Sequence, residues 1–119
     1  MLIKDLQNCE EFIAGDNTIL RELLHPDKEY VNFRFSLAHA IVKSGMTSYS
    51  HKLKTSEVYY ILEGEGEMYI DDENQKVCSG QAVYIPPNSK QYIQNTGDVD
   101  LVFLCIVDPA WRKEDEEIL

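Results

Sequence analysis

The sequence predicts an all-β fold, a small sandwich or barrel, from the recurrence of its turns and the composition between them. Turn-forming residues recur at 14–17, 25–27, 43–45, 63–66, 71–74, 78–80, 86–89 and 95–98. The segments between these turns are short and rich in Val, Ile, Tyr and Phe, as strands are. Some of them also alternate apolar and polar residues, the period expected for a strand with one buried face.

The individual strands are predicted in chain order. The stretch VNFRFSL at 31–37 alternates clearly, and its apolar residues share one face: Val31, Phe33, Phe35 and Leu37. The later predicted strands lie at 57–62, 67–70, 82–85, 90–95 and 100–107.

One apolar segment fits two structures. TILRELL at 18–24 places Ile19, Leu20, Leu23 and Leu24 at helical spacing. As a strand it still puts Ile19 and Leu23 on one face. Periodicity alone leaves both structures open.

Length and charge limit the function classes. A chain of 119 residues predicts one domain. Its net charge of −10 argues against nucleic acid, because a nucleic-acid binder needs a basic face. It also argues against docking on anionic membranes.

The cysteines and the N-terminus favour a cytoplasmic location. Cys9, Cys78 and Cys105 are odd in number and far apart, so they predict no disulfide framework. The first residues, MLIKDLQNCEEF, hold no uninterrupted apolar core of the kind found in signal peptides.

Three polar residues stand at the start of short strand-like segments. Because side chains two apart share a strand face, His51 points with Leu53, and Glu57 points with Tyr59. Gln91 begins a third such set. If these faces line a barrel interior, we expect His51, Glu57 and Gln91 to converge. An imidazole, a carboxylate and an amide oxygen can all bind a divalent ion.

Two spaced motifs contain these residues. In GMTSYSHKLKTSEVYYILEGEG at 45–66, the spacing links Gly45, His51, Glu57 and Gly64. A second spaced set follows, made of Gly80, Pro86 and Asn95. The two sets resemble the two motifs of the cupin superfamily, and the first looks like single-domain cupins related to the barrel domain of phosphomannose isomerases.

This resemblance implies one domain over residues 1–119, a double-stranded β-helix, or jelly-roll-type barrel, with short irregular or helical termini. The barrel core is expected at about 31–109. The segment 1–30 is expected to pack on it and to contribute to a homodimer.

The chain departs from the family motifs at three positions. Leu53 stands where the pattern has a second histidine, and Gln91 where it has the last one. Asn88 replaces a turn glycine, which is a mild change because Asn tolerates the left-handed conformation. The implied metal ligands are therefore His51, Glu57 and Gln91. We expect Mn, Fe, Zn or Ni held weakly, or no metal.

The pocket and the function are expectations of the same kind. Leu53, Tyr59 and His39 are candidates for the substrate pocket, although Tyr59 also fits the core and His39 also fits a packed or rim position. With His51 and Glu57 as catalytic residues, the resemblance implies a metal-assisted isomerase acting on a sugar, a sugar phosphate or a keto compound.

Without metal, His51 would act as a general base supported by Glu57. The alternative is a non-catalytic cupin that binds or senses a small polar metabolite, so the sequence leaves open whether the protein is an enzyme.

Overall fold

The computed structural model describes residues 1–119 and is built almost entirely of strands. There are eleven: β1 (Glu11–Ile13), β2 (Ile19–Leu24), β3 (Ser36–Val42), β4 (His51–Leu53), β5 (Ser56–Glu63), β6 (Glu65–Ile70), β7 (Glu73–Cys78), β8 (Ala82–Ile85), β9 (Gln91–Asn95), β10 (Leu101–Asp108) and β11 (Glu116–Ile118). The helical segments are two 3₁₀ turns, Leu6–Asn8 and Lys113–Asp115. The prediction of an all-β fold is confirmed.

The strands form two antiparallel sheets that face each other. The first has six strands in the order β1-β2-β3-β10-β5-β8, and the second has five in the order β11-β4-β9-β6-β7. Neighbours in each sheet are often distant in sequence, as expected for a barrel of the jelly-roll type. No helical segment has the length or hydropathy needed to cross a bilayer.

Alternation along β5 and β9 sets which side chains reach the interior. Glu57, Tyr59 and Ile61 are buried on one face of β5, and Gln91 and Ile93 are buried on one face of β9. This is the parity predicted from the sequence, because a strand sends alternate side chains to opposite faces.

The first thirty residues contribute directly to the barrel. The ambiguous segment forms β2, which pairs with β3 and with β1. Pairing on both sides satisfies its backbone groups, which periodicity could not reveal. The predicted strand over 31–37 is wrong in its bounds, because β3 begins only at Ser36.

The core lies between the sheets, around the ring pair of Tyr59 and Phe103, whose centroids are 4.5 Å apart. Both side chains are almost fully buried. The other buried core residues come from both sheets, namely Ala40, Val42, Ile61, Met68, Val77, Ile85, Ile93, Leu101 and Cys105. One end of this core is left open, and the predicted site residues gather there.

Six residues have a left-handed backbone, and two of them decide how their turns are built. Gly64 has φ 85°, and a Cβ at this position would lie 2.6 Å from the backbone oxygen of Asp100. Asn88, in the turn where the motif carries glycine, has φ 64°. Asparagine adopts this conformation at low cost, so the substitution preserves the turn.

Candidate functional site

A cavity of about 290 Å³ opens between the sheets at the end near the β1–β2 turn and β11. Of the predicted site residues, His51, Leu53, Glu57 and Tyr59 line it. A larger open groove of about 750 Å³ lies between β7 and β8, but it is lined by other residues. The smaller cavity is therefore the candidate site, because it is the one of the two that is lined by buried polar side chains.

His51 is the first residue of β4 and is 1% exposed. Its Nδ1 lies 2.9 Å from the backbone oxygen of Tyr49. A carbonyl oxygen only accepts, so Nδ1 carries a hydrogen and Nε2 is the ring nitrogen left to face the cavity. Nε2 lies 3.8 Å from Asp16 Oδ2, beyond hydrogen-bond distance, and it faces the cavity without a partner.

Glu57, on β5, is buried among apolar side chains. Burial raises the pKa of its carboxyl from 4.5 to about 8, because desolvation disfavours the charged form. The hydrogen bond from Gln91 partly offsets this rise, while the charges of Asp16 and Glu116 add to it. Glu57 therefore carries its proton at pH 7 and is a hydrogen-bond donor.

A short hydrogen-bonded chain holds Glu57 in place. The Tyr59 hydroxyl donates to Gln91 Oε1 at 3.0 Å, and Gln91 Nε2 donates to Glu57 Oε1 at 2.9 Å. Burial, with a contribution from Glu57, raises the pKa of Tyr59 well above its ordinary value, so the hydroxyl remains a donor. Gln91 is fully buried behind the cavity wall and uses its amide to orient Glu57.

Asp16 is a site residue that sequence reasoning missed. It lies in the turn between β1 and β2, where its Oδ1 accepts hydrogen bonds from the Thr18 backbone nitrogen at 3.1 Å and hydroxyl at 2.7 Å. The backbone oxygen of Asp16 also accepts from the Tyr49 nitrogen at 2.7 Å, which ties the turn to the segment before His51. Oδ2 is left facing the cavity. The only sequence signal was the turn composition of AGDN, which does not indicate a site.

Two further lining residues come from the C-terminal segment. Glu116 on β11 pairs with Leu53 on β4, and Trp111 precedes it in the chain. Burial raises the pKa of Glu116, while the His51 charge and a hydrogen bond with Trp111 lower it. Asp16 and Glu116 thus bring carboxyl groups from the two ends of the chain to the cavity that His51 lines.

His39 does not line the cavity. It pairs across from Leu104 on the outer face of the six-stranded sheet. The inward positions of β3 belong instead to Ser36 and Ala38, which do line the cavity. Side chains alternate along β3, so His39, which follows the inward-facing Ala38, faces outward.

The arrangement of donors does not fit a metal ion. Leu53, 3% exposed, gives the cavity an apolar wall where a ligand would be needed. The Gln91 oxygen accepts from Tyr59, and its nitrogen faces Glu57. No three His, Cys, Asp or Glu side chains converge in a geometry that could hold an ion. The carboxylate found next to His51 is Asp16, whereas the sequence pointed to Glu57.

Comparisons with known proteins agree with the fold. Residues 38–107 match the cupin domain family. An uncharacterized protein of Methanocaldococcus jannaschii is 47% identical over 97% of this chain and 92% of its own length. A glucose-6-phosphate isomerase of Thermococcus onnurineus is 31% identical over 77% of this chain, which spans 47% of that enzyme.

Among solved structures, a Cupin 2 conserved barrel domain protein of Salinispora arenicola superposes with a TM-score of 0.78 at 22% identity. The match covers 96% of this chain and 91% of that one. At this identity the likeness concerns the fold alone. The match to the family spans more than half of the chain, and this chain therefore belongs to the cupin family.

Proposed function

We propose that the protein catalyses proton transfer next to the carbonyl group of a small hydroxycarbonyl metabolite, the chemistry of an aldose–ketose isomerase. One observation carries the proposal. His51, whose Nε2 has no hydrogen-bond partner within the protein, and Glu57, a protonated carboxyl group, both line the same cavity. Two groups with opposite proton-transfer roles in one site are the usual sign of paired base and acid catalysis.

The first step forms an enediol. Glu57 donates its proton to the substrate carbonyl oxygen, while His51 Nε2 takes the proton from the adjacent carbon. The electron pair of the broken carbon–hydrogen bond becomes the carbon–carbon double bond. The carbonyl oxygen is now a hydroxyl, Glu57 is a carboxylate and His51 is an imidazolium.

The second step moves the carbonyl group by one carbon. The Glu57 carboxylate takes the proton of the other hydroxyl, whose oxygen becomes the new carbonyl. The double-bond electron pair takes the proton back from the His51 imidazolium at the former carbonyl carbon. Both residues regain their starting protonation states, and no oxidant or reductant is consumed.

The surrounding residues support these two roles. Tyr49 fixes which nitrogen of His51 is free, and Gln91 holds one Glu57 oxygen so that the other remains available. Leu53 and Trp111 form part of the cavity wall. Apolar walls lower the local dielectric, which keeps Glu57 protonated and limits the access of water to an enediol.

The relatives lend this proposal separate support. One of them is named as a glucose-6-phosphate isomerase, although the chain spans about half of that enzyme. The first motif also looks like that of the cupin barrel in phosphomannose isomerases. These likenesses concern the reaction type and not the roles of individual residues.

Proton exchange with deuterated solvent tests the proposal. Wild-type protein incubated in D₂O with a panel of aldoses and ketoses should replace the hydrogen next to the carbonyl with deuterium, which proton NMR detects. His51→Gln should abolish the exchange. His39→Gln, which changes a histidine outside the cavity, is the matched control and should retain it.

A binding-only role gives a different result. If a sugar binds in the cavity but neither exchange nor isomerisation occurs, the protein is a binding or sensor cupin. If exchange occurs equally in His51→Gln, His51 is not the base.

A further inference from the structure

Three polar atoms reach the cavity without a hydrogen bond inside the protein. They are His51 Nε2, Asp16 Oδ2 and the second carboxyl oxygen of Glu57, since only Oε1 of Glu57 and Oδ1 of Asp16 accept hydrogen bonds. Their side chains belong to residues that are 1%, 9% and 6% exposed, respectively. Because the three residues line one cavity, a ligand that enters it can form hydrogen bonds with all three atoms.

The hydrogen-bonding character of these atoms describes that ligand. In the proposed mechanism His51 Nε2 accepts a proton and Glu57 donates one, and a carboxylate oxygen of Asp16 accepts hydrogen bonds. A complementary ligand offers two donors and one acceptor. Hydroxyl groups beside a carbonyl group meet this requirement within a cavity of about 290 Å³.

The charge of the cavity limits the ligand further. Asp16, Glu22 and Glu116 line it together with a single lysine or arginine, Lys28. Lys28 is already paired with Glu22. The acidic side chains of the cavity therefore outnumber its basic ones, so a further negative charge there is unfavourable. A phosphate group would add up to two more negative charges and would meet no free cation.

We infer that the cavity takes an uncharged hydroxycarbonyl compound, such as a free sugar, and discriminates against its phosphorylated form. The inference rests on the proposed function for the site and adds the charge class of the substrate. It sets this chain apart from the phosphorylated substrate named for the glucose-6-phosphate isomerase relative. Asp16 and Glu116 lie outside the residues that match the family, 38–107, and would be the specificity determinants.

Trp111 provides a direct measurement of the cavity's charge. It is the only tryptophan in the chain, it is 37% exposed and it lines the cavity. Relative to their quenching of free N-acetyltryptophanamide, we expect caesium to quench Trp111 fluorescence more strongly than iodide. The double variant Asp16→Asn/Glu116→Gln should lower the caesium-to-iodide quenching ratio by at least about twofold, because it removes two acidic side chains that line the cavity with Trp111.

A charge-matched variant controls for the net charge of the protein. Asp72→Asn/Glu73→Gln removes two charges from the groove on the other side of the barrel and should leave the ratio unchanged. Equal quenching by the two ions, or the same ratio in both double variants, would overturn the inference.

Matched sugar pairs test the substrate class itself. Glucose is compared with glucose 6-phosphate, and dihydroxyacetone with its phosphate, by calorimetric titration and by exchange in D₂O. The unphosphorylated member of a pair should bind or exchange at least about tenfold better, a difference of about 1.4 kcal/mol. Equal or better performance of the phosphorylated member contradicts the inference even if the proton-transfer chemistry is correct.

The two experiments separate the two claims. If no sugar exchanges or binds, the proposed function fails, while the quenching ratio still decides the charge of the cavity. If the phosphorylated sugars exchange well, the proposed function stands and the charge inference fails.

Discussion

Gln91 Nε2 donates a hydrogen bond to Glu57 Oε1 at 2.9 Å, while the Gln91 oxygen accepts from the Tyr59 hydroxyl. The single amide therefore joins a buried tyrosine to the buried carboxyl group of the cavity. An amide nitrogen stabilises a carboxylate less than a cation would, so the interaction does not keep Glu57 ionised against the cost of burial. Glu57 occupies the position of a metal ligand in the family motif. Here its hydrogen bond with Gln91 fixes its position, and burial keeps it a protonated carboxylic acid.

The stability of the protein should reflect the protonation of Glu57. Its pKa in the folded state is about 8, above 4.5, so between these values the folded protein binds more protons than the unfolded one. The free energy of unfolding contributed by this group therefore falls as pH rises from about 4.5 to about 8. Glu57→Gln removes this loss. The free energy of unfolding of the variant should therefore exceed the wild-type value across that range, by roughly 3–5 kcal/mol at pH 8.

Urea denaturation of the two proteins at pH 5 and pH 8 measures the effect. Glu10→Gln removes one exposed charge and serves as the control. A Glu57→Gln advantage that does not grow between the two pH values contradicts the predicted protonation.

The turn between β5 and β6 should tolerate only glycine. Gly64→Ala requires φ 85° and brings a Cβ within 2.6 Å of the Asp100 oxygen. Gly45→Ala requires φ 77° but meets no atom within 4 Å, so it isolates the cost of the backbone conformation. We expect Gly64→Ala to be less stable than Gly45→Ala by about 1–3 kcal/mol. Thermal unfolding measures this, and equal losses would show that the Asp100 contact is relieved without cost.

Restoring the family histidines should create a metal site. Leu53 lines the cavity two residues after His51, and Gln91 pairs directly with His51 across β4 and β9. Leu53→His/Gln91→His should therefore place imidazoles beside His51 and raise zinc affinity by at least about tenfold, or about 1.4 kcal/mol.

Isothermal titration with zinc compares the double variant with wild type. Leu53→His alone keeps the Gln91 hydrogen bonds. If the double variant unfolds, this single variant is titrated with zinc in its place. Folded variants that bind zinc no better than wild type would show that positions 53 and 91 do not point toward His51.

We propose that the protein is a homodimer that covers the outer face of the six-stranded sheet. This face exposes a group of large apolar side chains, namely Tyr60, Leu62, Tyr84 and Ile106. Exposed apolar patches of this kind mark protein interfaces. Light scattering should give about twice the chain mass of 13.7 kDa, and Ile106→Glu should shift the protein toward monomer. A wild-type monomer at micromolar concentration would contradict the proposal.

Local patterns were enough to predict strands β5, β6, β8, β9 and β10 and the burial of His51, Glu57 and Gln91. The parity of Glu57 and Tyr59, and the spacing of His51 from Gly45 and Gly64, depend on residues close in sequence. Side chains alternate along a strand, so the spacing of residues shows directly which of them share a face. The structure confirms which of these side chains face the interior.

The remaining site residues depend on distant contacts that no local pattern reveals. Asp16 reaches His51 only because β2 pairs with β3 and the β1–β2 turn docks on Tyr49. Glu116 reaches the cavity through the pairing of β11 with β4. The prediction that His39 lines the pocket extends the alternation seen in 31–37. Residues 31–35 precede the start of β3, so they do not determine which face of β3 is buried.

The most direct test of the account is the titration of the Glu57 carboxyl carbon by NMR, assigned by comparison with Glu57→Gln. The proposed mechanism requires a protonated Glu57 at neutral pH in the cavity that His51 also lines. It predicts a carboxyl signal that stays protonated at pH 7 and titrates with a midpoint near 8. A midpoint near 4.5, the ordinary value for a glutamate, would mean that Glu57 is a carboxylate at neutral pH and would contradict the proposed division between base and acid.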